Sequence, residues 1–105
     1  MGVLKGVLKE ELGNSLRMKA GYEKALAGLP RGSIVRKKIR GHYYHYLVMR
    51  EGAKIRFIYK GKLLDDEVSR YRQIKEMRAK YRQLLSRVKR QIKFLRSALR
   101  GKELV

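Results

Sequence analysis

The run Arg36-Lys37-Lys38-Ile39-Arg40-Gly41-His42-Tyr43-Tyr44-His45-Tyr46 interleaves cations with aromatic rings. Guanidinium and ammonium groups neutralise phosphates, while Tyr and Arg stack on bases or reach groove edges. Arg50, Lys54 and Arg56 extend the cationic set just downstream. Arg36, Lys37, Lys38, Arg40, Tyr43, Tyr44, Arg50, Lys54 and Arg56 are therefore the candidate nucleic-acid contacts of this stretch. For any single Tyr, cross-strand packing is an equal explanation, and scattered cations also protect sheet edges. As a set, the cations favour contact with a polyanion.

Catalytic chemistry is hard to assemble from this chain. His42 and His45 are three apart, which on a strand sends them to opposite faces and away from a shared metal. The chain contains no Cys, so thiolate ligands and disulfides are both absent. Asp65-Asp66-Glu67 is explained by a helix start, where acids complement the dipole. No Gly-rich phosphate cradle is present. His-Tyr-Tyr-His also lacks the single intervening hydrophobe of the paired-histidine nickases. The expectation is no enzyme, no metal and no cofactor.

The charge balance points the same way. Among 105 residues, 28 Lys and Arg face nine Asp and Glu, a formal charge of +19. Self-repulsion of that size works against compaction and is tolerated when a polyanion neutralises it. The distribution is uneven. Residues 1–30 carry a net +2, residues 31–64 a net +9 with Glu51 as the lone acid, and residues 65–100 a net +8. The first thirty residues read as a support and the rest as the polyanion surface. Length and a hydrophobic content of 44% suit one domain with a modest core. No stretch approaches the roughly 18 apolar residues of a membrane span, and the start lacks a signal-peptide run. A cytoplasmic protein with no membrane partner is expected.

Three segments must position these residues, giving an α+β fold. From Leu4 to Leu29, apolar residues Leu4, Leu8, Leu12, Leu16, Tyr22, Leu26 and Leu29 recur mostly at helical spacing. Gly6, Gly13 and Gly21 each cost about 1 kcal/mol in a helix, so fraying or a break near Gly13-Asn14 is expected, with the best helix over 15–27. Ser33 to Lys60 then reads as a three-stranded antiparallel meander punctuated at Gly41, Gly52 and Gly61. Ile55, Phe57 and Tyr59 alternate with Lys54, Arg56, Ile58 and Lys60 on the third strand. The middle strand is apolar on both sides, which leaves its inward face open. The flanking helices are the only elements available to cover the apolar face.

Residues 65–100 form a long helix that would span roughly 50 Å. Tyr71, Ile74, Arg78, Tyr81, Leu85, Val88, Ile92, Leu95 and Leu99 follow an a/d heptad pattern with one defect, Arg78. Every e position is basic: Lys75, Arg82, Lys89 and Arg96. The g positions Met77, Leu84, Gln91 and Ala98 carry no charge. The basic row, with Arg72, Arg90 and Lys93 nearby, is a second candidate phosphate track. The seam is compatible with an intrachain hairpin or a homodimer.

The stretches Leu29-Pro30-Arg31-Gly32-Ser33, His42 to Leu47, Arg50-Glu51-Gly52-Ala53-Lys54 and Tyr59-Lys60-Gly61 resemble a group of short, basic, uncharacterised prokaryotic proteins. Those share a Leu-Pro-x-Gly-Ser start, a Tyr-rich hairpin and a Tyr-x-Gly exit before a long charged helix. The architecture is also distantly similar to the arm-site DNA-binding domains of phage and transposon integrases. That likeness implies a sheet that enters the major groove.

The combined expectation is a non-enzymatic protein that binds DNA or RNA, serving a mobile element or phage defence. The alternatives are a small inhibitor or accessory subunit docking on a nucleoprotein enzyme, CRISPR-effector-like or integrase-like, and a ribosome-associated protein.

Overall fold

The computed structural model describes residues 2–101. The elements run α1 (Gly2–Gly28), β1 (Ser33–Ile39), β2 (His42–Glu51), β3 (Lys54–Gly61) and α2 (Asp65–Arg100). This is the α+β order that the sequence pattern predicts. The chain divides into two compact units, residues 29–78 and, separately, the residues up to 28 with those from 79 onward. α2 thus contributes its first part to the sheet unit and its second part to a helical pair.

In the helical unit, the rings of Tyr22 and Tyr81 lie 6.3 Å apart, and Lys19 shares a groove with Lys89 and Ile92. Falling numbers on α1 meet rising numbers on α2, so the two helices are antiparallel. The less exposed positions of α1 include Leu8, Leu12, Ser15, Lys19, Tyr22 and Leu26. They alternate spacings of four and three, as a packed seam should. α2 answers with Tyr81, Leu85, Val88, Ile92, Leu95 and Leu99, of which Val88, Ile92 and Leu95 are buried. The heptads are thus used within the chain.

Two expectations about α1 are corrected. The helix does not break at Gly13-Asn14 but runs unbroken from Gly2 to Gly28. Its seam passes through Ser15 and Lys19 rather than Leu16, which is 37% exposed, and Leu4 is also exposed. The physical reason is common to both. A seam that keeps its spacing across Gly13 is rewarded by packing along its whole length, and packing outweighs local propensity.

The sheet is ordered β1-β2-β3 and antiparallel throughout. Ile39 pairs with His42 across Arg40-Gly41, whose φ angles are 52° and 81°. Two positive φ values make a type I′ turn, whose twist matches the strands. Glu51 pairs with Lys54, and Gly52 opens that turn at φ 61°. The tight turn is therefore centred on Gly52-Ala53. Tyr46 pairs with Tyr59 but His45 with Gly61, so β3 carries a bulge at Lys60.

α2 is anchored at both ends of its sheet-side part. The Glu67 carboxylate accepts from the Leu64 backbone N–H at 3.3 Å, half of a capping box. Arg78, the heptad defect, donates to the Pro30 carbonyl and, at 3.3 Å, to the Gly32 carbonyl. The cation thus fixes the loop leading into β1. Gly32 has φ 93°, and a Cβ there would meet Leu47 Cδ1 at 2.8 Å.

Ser15 is 1% exposed, and its hydroxyl has no hydrogen-bond partner. Ser15→Ala should therefore raise stability by about 1 kcal/mol, removing a desolvated hydroxyl and improving helix propensity. Ser15→Leu should lower it by ~1–3 kcal/mol through overpacking. Urea unfolding midpoints check both, and a lower midpoint for the Ala variant would contradict this packing.

Candidate nucleic-acid interface

Strand register sorts the candidate residues onto two faces. One face carries Ile34, Arg36, Lys38, Tyr43, His45, Leu47, Met49, Lys54, Arg56 and Ile58. The first turns of α2 lie over part of it, where Ile34, Arg36, Tyr43 and His45 line a cleft with Val68, Tyr71, Arg72 and Lys75. His45 is buried there with Nδ1 unpaired. The other face carries Val35, Lys37, Ile39, His42, Tyr44, Tyr46, Val48, Arg50, Ile55, Phe57 and Tyr59. His42 and His45 do fall on opposite faces.

The predicted cations therefore do not form one surface. Arg36, Lys38, Lys54 and Arg56 share the helix-side face. Arg36 sits 4.2 Å from the centre of the Tyr43 ring, and Lys38 Nζ 5.7 Å from it. Lys75 joins Arg36, Lys62 and Arg72 around the cleft, with Asp65 as its acid. Arg56 pairs with Glu51 at 3.2 Å. Lys37, Tyr44 and Arg50 belong to the opposite face, and Arg40 forms the hairpin tip.

The apolar side of β3 is not covered. Phe57 is 57% and Tyr59 60% exposed, and Ile55 is also exposed, whereas Ile58 is less so. This corrects the expectation that the helices shield that face. Lys37 Nζ lies 5.5 Å from the ring centres of both Tyr46 and Phe57, within cation–π range. Tyr46 and Tyr59 rings are 5.4 Å apart and tilted.

In the helical unit, the e positions Arg82, Lys89 and Arg96 are all exposed, as is Arg90. Arg90 donates to Ser86 Oγ at 2.8 Å. Lys89 and Arg96 line a groove with Lys19, Lys93, Arg100 and Ile92. Five cations thus surround one apolar side chain. Among the described residues only two ion pairs form, Arg56–Glu51 and Arg70–Asp66 at 3.6 Å, and none of these five takes part.

Sequence reasoning passed over Lys19, Lys62, Tyr46, Phe57, Tyr59 and Arg100 as site residues. The signal for Lys19 was the four-three spacing from Leu8 to Leu26, hidden by the expected break at Gly13. For Phe57 and Tyr59 it was their clean alternation, read as an inward face.

No family model, curated protein or solved structure matches the chain. Among the described residues, no helix is long and apolar enough to cross a membrane. No cluster of three or more His, Asp or Glu among them is placed to hold a metal ion.

A test of the groove follows from its charge. Lys93→Gln with Arg96→Gln should elute from a heparin column at clearly lower salt than the parent, with unchanged helical circular dichroism. Identical elution would remove this groove as an anion site.

Proposed function

We propose that the chain is a non-enzymatic nucleic-acid-binding protein that meets its ligand in the cytoplasm. The observation that carries this reading is the unbalanced cation surplus. A charge of +19 is left with two exposed ion pairs among the described residues, and such pairs offset little repulsion. Each unit gathers cations around a concavity: Arg36, Lys62, Arg72 and Lys75 in one, and Lys19, Lys89, Lys93, Arg96 and Arg100 in the other. Nucleic acid supplies regularly repeated negative charge to such sites and releases counterions on binding. The aromatic sheet adds a second mode of contact that phosphate alone does not use.

Service to a mobile element or to phage defence belongs to the same proposal. Basic protein that docks on a nucleoprotein would use the same cations, with the nucleic acid held by a larger assembly.

Binding should be steeply salt-dependent. With ~6–10 phosphates neutralised, affinity for a mixed-sequence oligonucleotide should fall ~10³–10⁵-fold between about 50 and 200 mM salt. Filter binding across that range measures it. A flat salt profile, or no binding at the low end, would overturn the proposal.

A further inference from the structure

The sheet face turned away from α2 is apolar and aromatic, where a highly charged chain standing alone would keep it polar. Its β3 row of Ile55, Phe57 and Tyr59 is more than half exposed. β2 adds Tyr44 and Tyr46, and β1 adds Val35. A contiguous open patch of this kind marks a binding surface. We infer that this face is a stacking platform for the bases of a single-stranded nucleic acid, carried chiefly by Tyr46, Phe57 and Tyr59. The inference rests on the nucleic-acid reading above and names the form of the ligand.

Charge selects the class of partner. The face contains Lys37, His42 and Arg50 and no acid, since Glu51 lies on the opposite side with Arg56. Its complement must be apolar and anionic together. A nucleotide strand has that character, with flat bases beside phosphates. A second copy of this chain does not, because it would bring another +19 and the same Lys37 and Arg50. Lys37 stands 5.5 Å from two of the rings, so a phosphate could be neutralised beside a stacked base.

Spacing selects single strand over duplex. Same-face side chains along a strand are ~6.8 Å apart, about twice the ~3.4 Å rise between stacked bases of a duplex strand. Such a row matches bases that have been drawn apart. Duplex bases, in addition, present only their edges, in the grooves. Val35, Val48, Ile55 and Phe57 have no donor or acceptor with which to read those edges. The rings of Tyr46 and Tyr59 are inclined at 59°, so they are not stacked face to face on each other.

The test compares an end-labelled oligothymidylate of about 12 nucleotides with its duplex, by fluorescence anisotropy at one low ionic strength. The parent protein should prefer the single strand by roughly tenfold or more, the scale of one or two base stacks. Phe57→Leu and Tyr59→Leu keep charge and apolar bulk but remove the π-face. Each should weaken single-strand binding roughly 5- to 100-fold while leaving duplex affinity within about twofold. Unchanged circular dichroism and an unchanged unfolding midpoint show that the variants are folded. Equal loss on both forms, no loss on either, or a parent preference for duplex would overturn the platform while the wider binding reading stands. Failure of the parent to bind either form would remove that wider reading as well. Concentration-dependent self-association in sedimentation, abolished by Phe57→Leu with single-strand affinity unchanged, would assign the face to a second copy and overturn the inference.

Discussion

Strand register is the constraint on which the chemistry of the sheet depends. Side chains alternate with a period of two, so a slip of one residue would exchange every group between faces. The register is held by Arg40-Gly41 and Gly52-Ala53, two tight turns with the φ signs that hairpins favour. It places Arg36, Lys38 and Tyr43 on the side of α2, and Lys37, Tyr46, Phe57 and Tyr59 on the open side. Arg78 adds a second fixed point by binding the carbonyls just ahead of β1. With that loop held, Gly32 can approach Leu47 more closely than any side-chain-bearing residue could.

The remaining cations are organised by helix packing. In the helical unit the seam buries Val88, Ile92 and Leu95, which leaves the e positions pointing to solvent. Lys19 occupies a seam position of α1 yet keeps its ammonium at the groove, as long basic side chains do when their stems cover apolar surface. Few acids are near enough to offset these charges. Folding therefore proceeds against internal repulsion, and neutralisation by a ligand would add stability through linkage.

Much of this was legible in the residues. The heptads of α2, the meander and the acids at the start of α2 follow from periodicity and turn chemistry, and the basic e row is exposed where the pattern puts it. The face of the sheet that meets a helix was not legible. β2 is apolar on both sides, and the cleanly alternating row of β3 looks like a core row when no tertiary contact is known. The covered side instead uses Ile34, Leu47, Met49 and Ile58, which are interspersed with cations in sequence. The continuity of α1 was also obscured, because glycine propensity argues locally while the seam acts over the whole helix. Arg78 looked like a flaw in a heptad, although its partners lie 46 and 48 residues away.

The central claim is that the uncovered aromatic rows of the sheet receive bases. Its most direct measurement is the aromatic proton NMR spectrum of the protein titrated with oligothymidylate. The ring protons of Tyr46, Phe57 and Tyr59 should shift upfield as bases stack over them, while those of Tyr22 and Tyr81, packed together in the helical unit, should not. Shifts confined to the helical unit, with the sheet rings unmoved at saturation, would contradict the account.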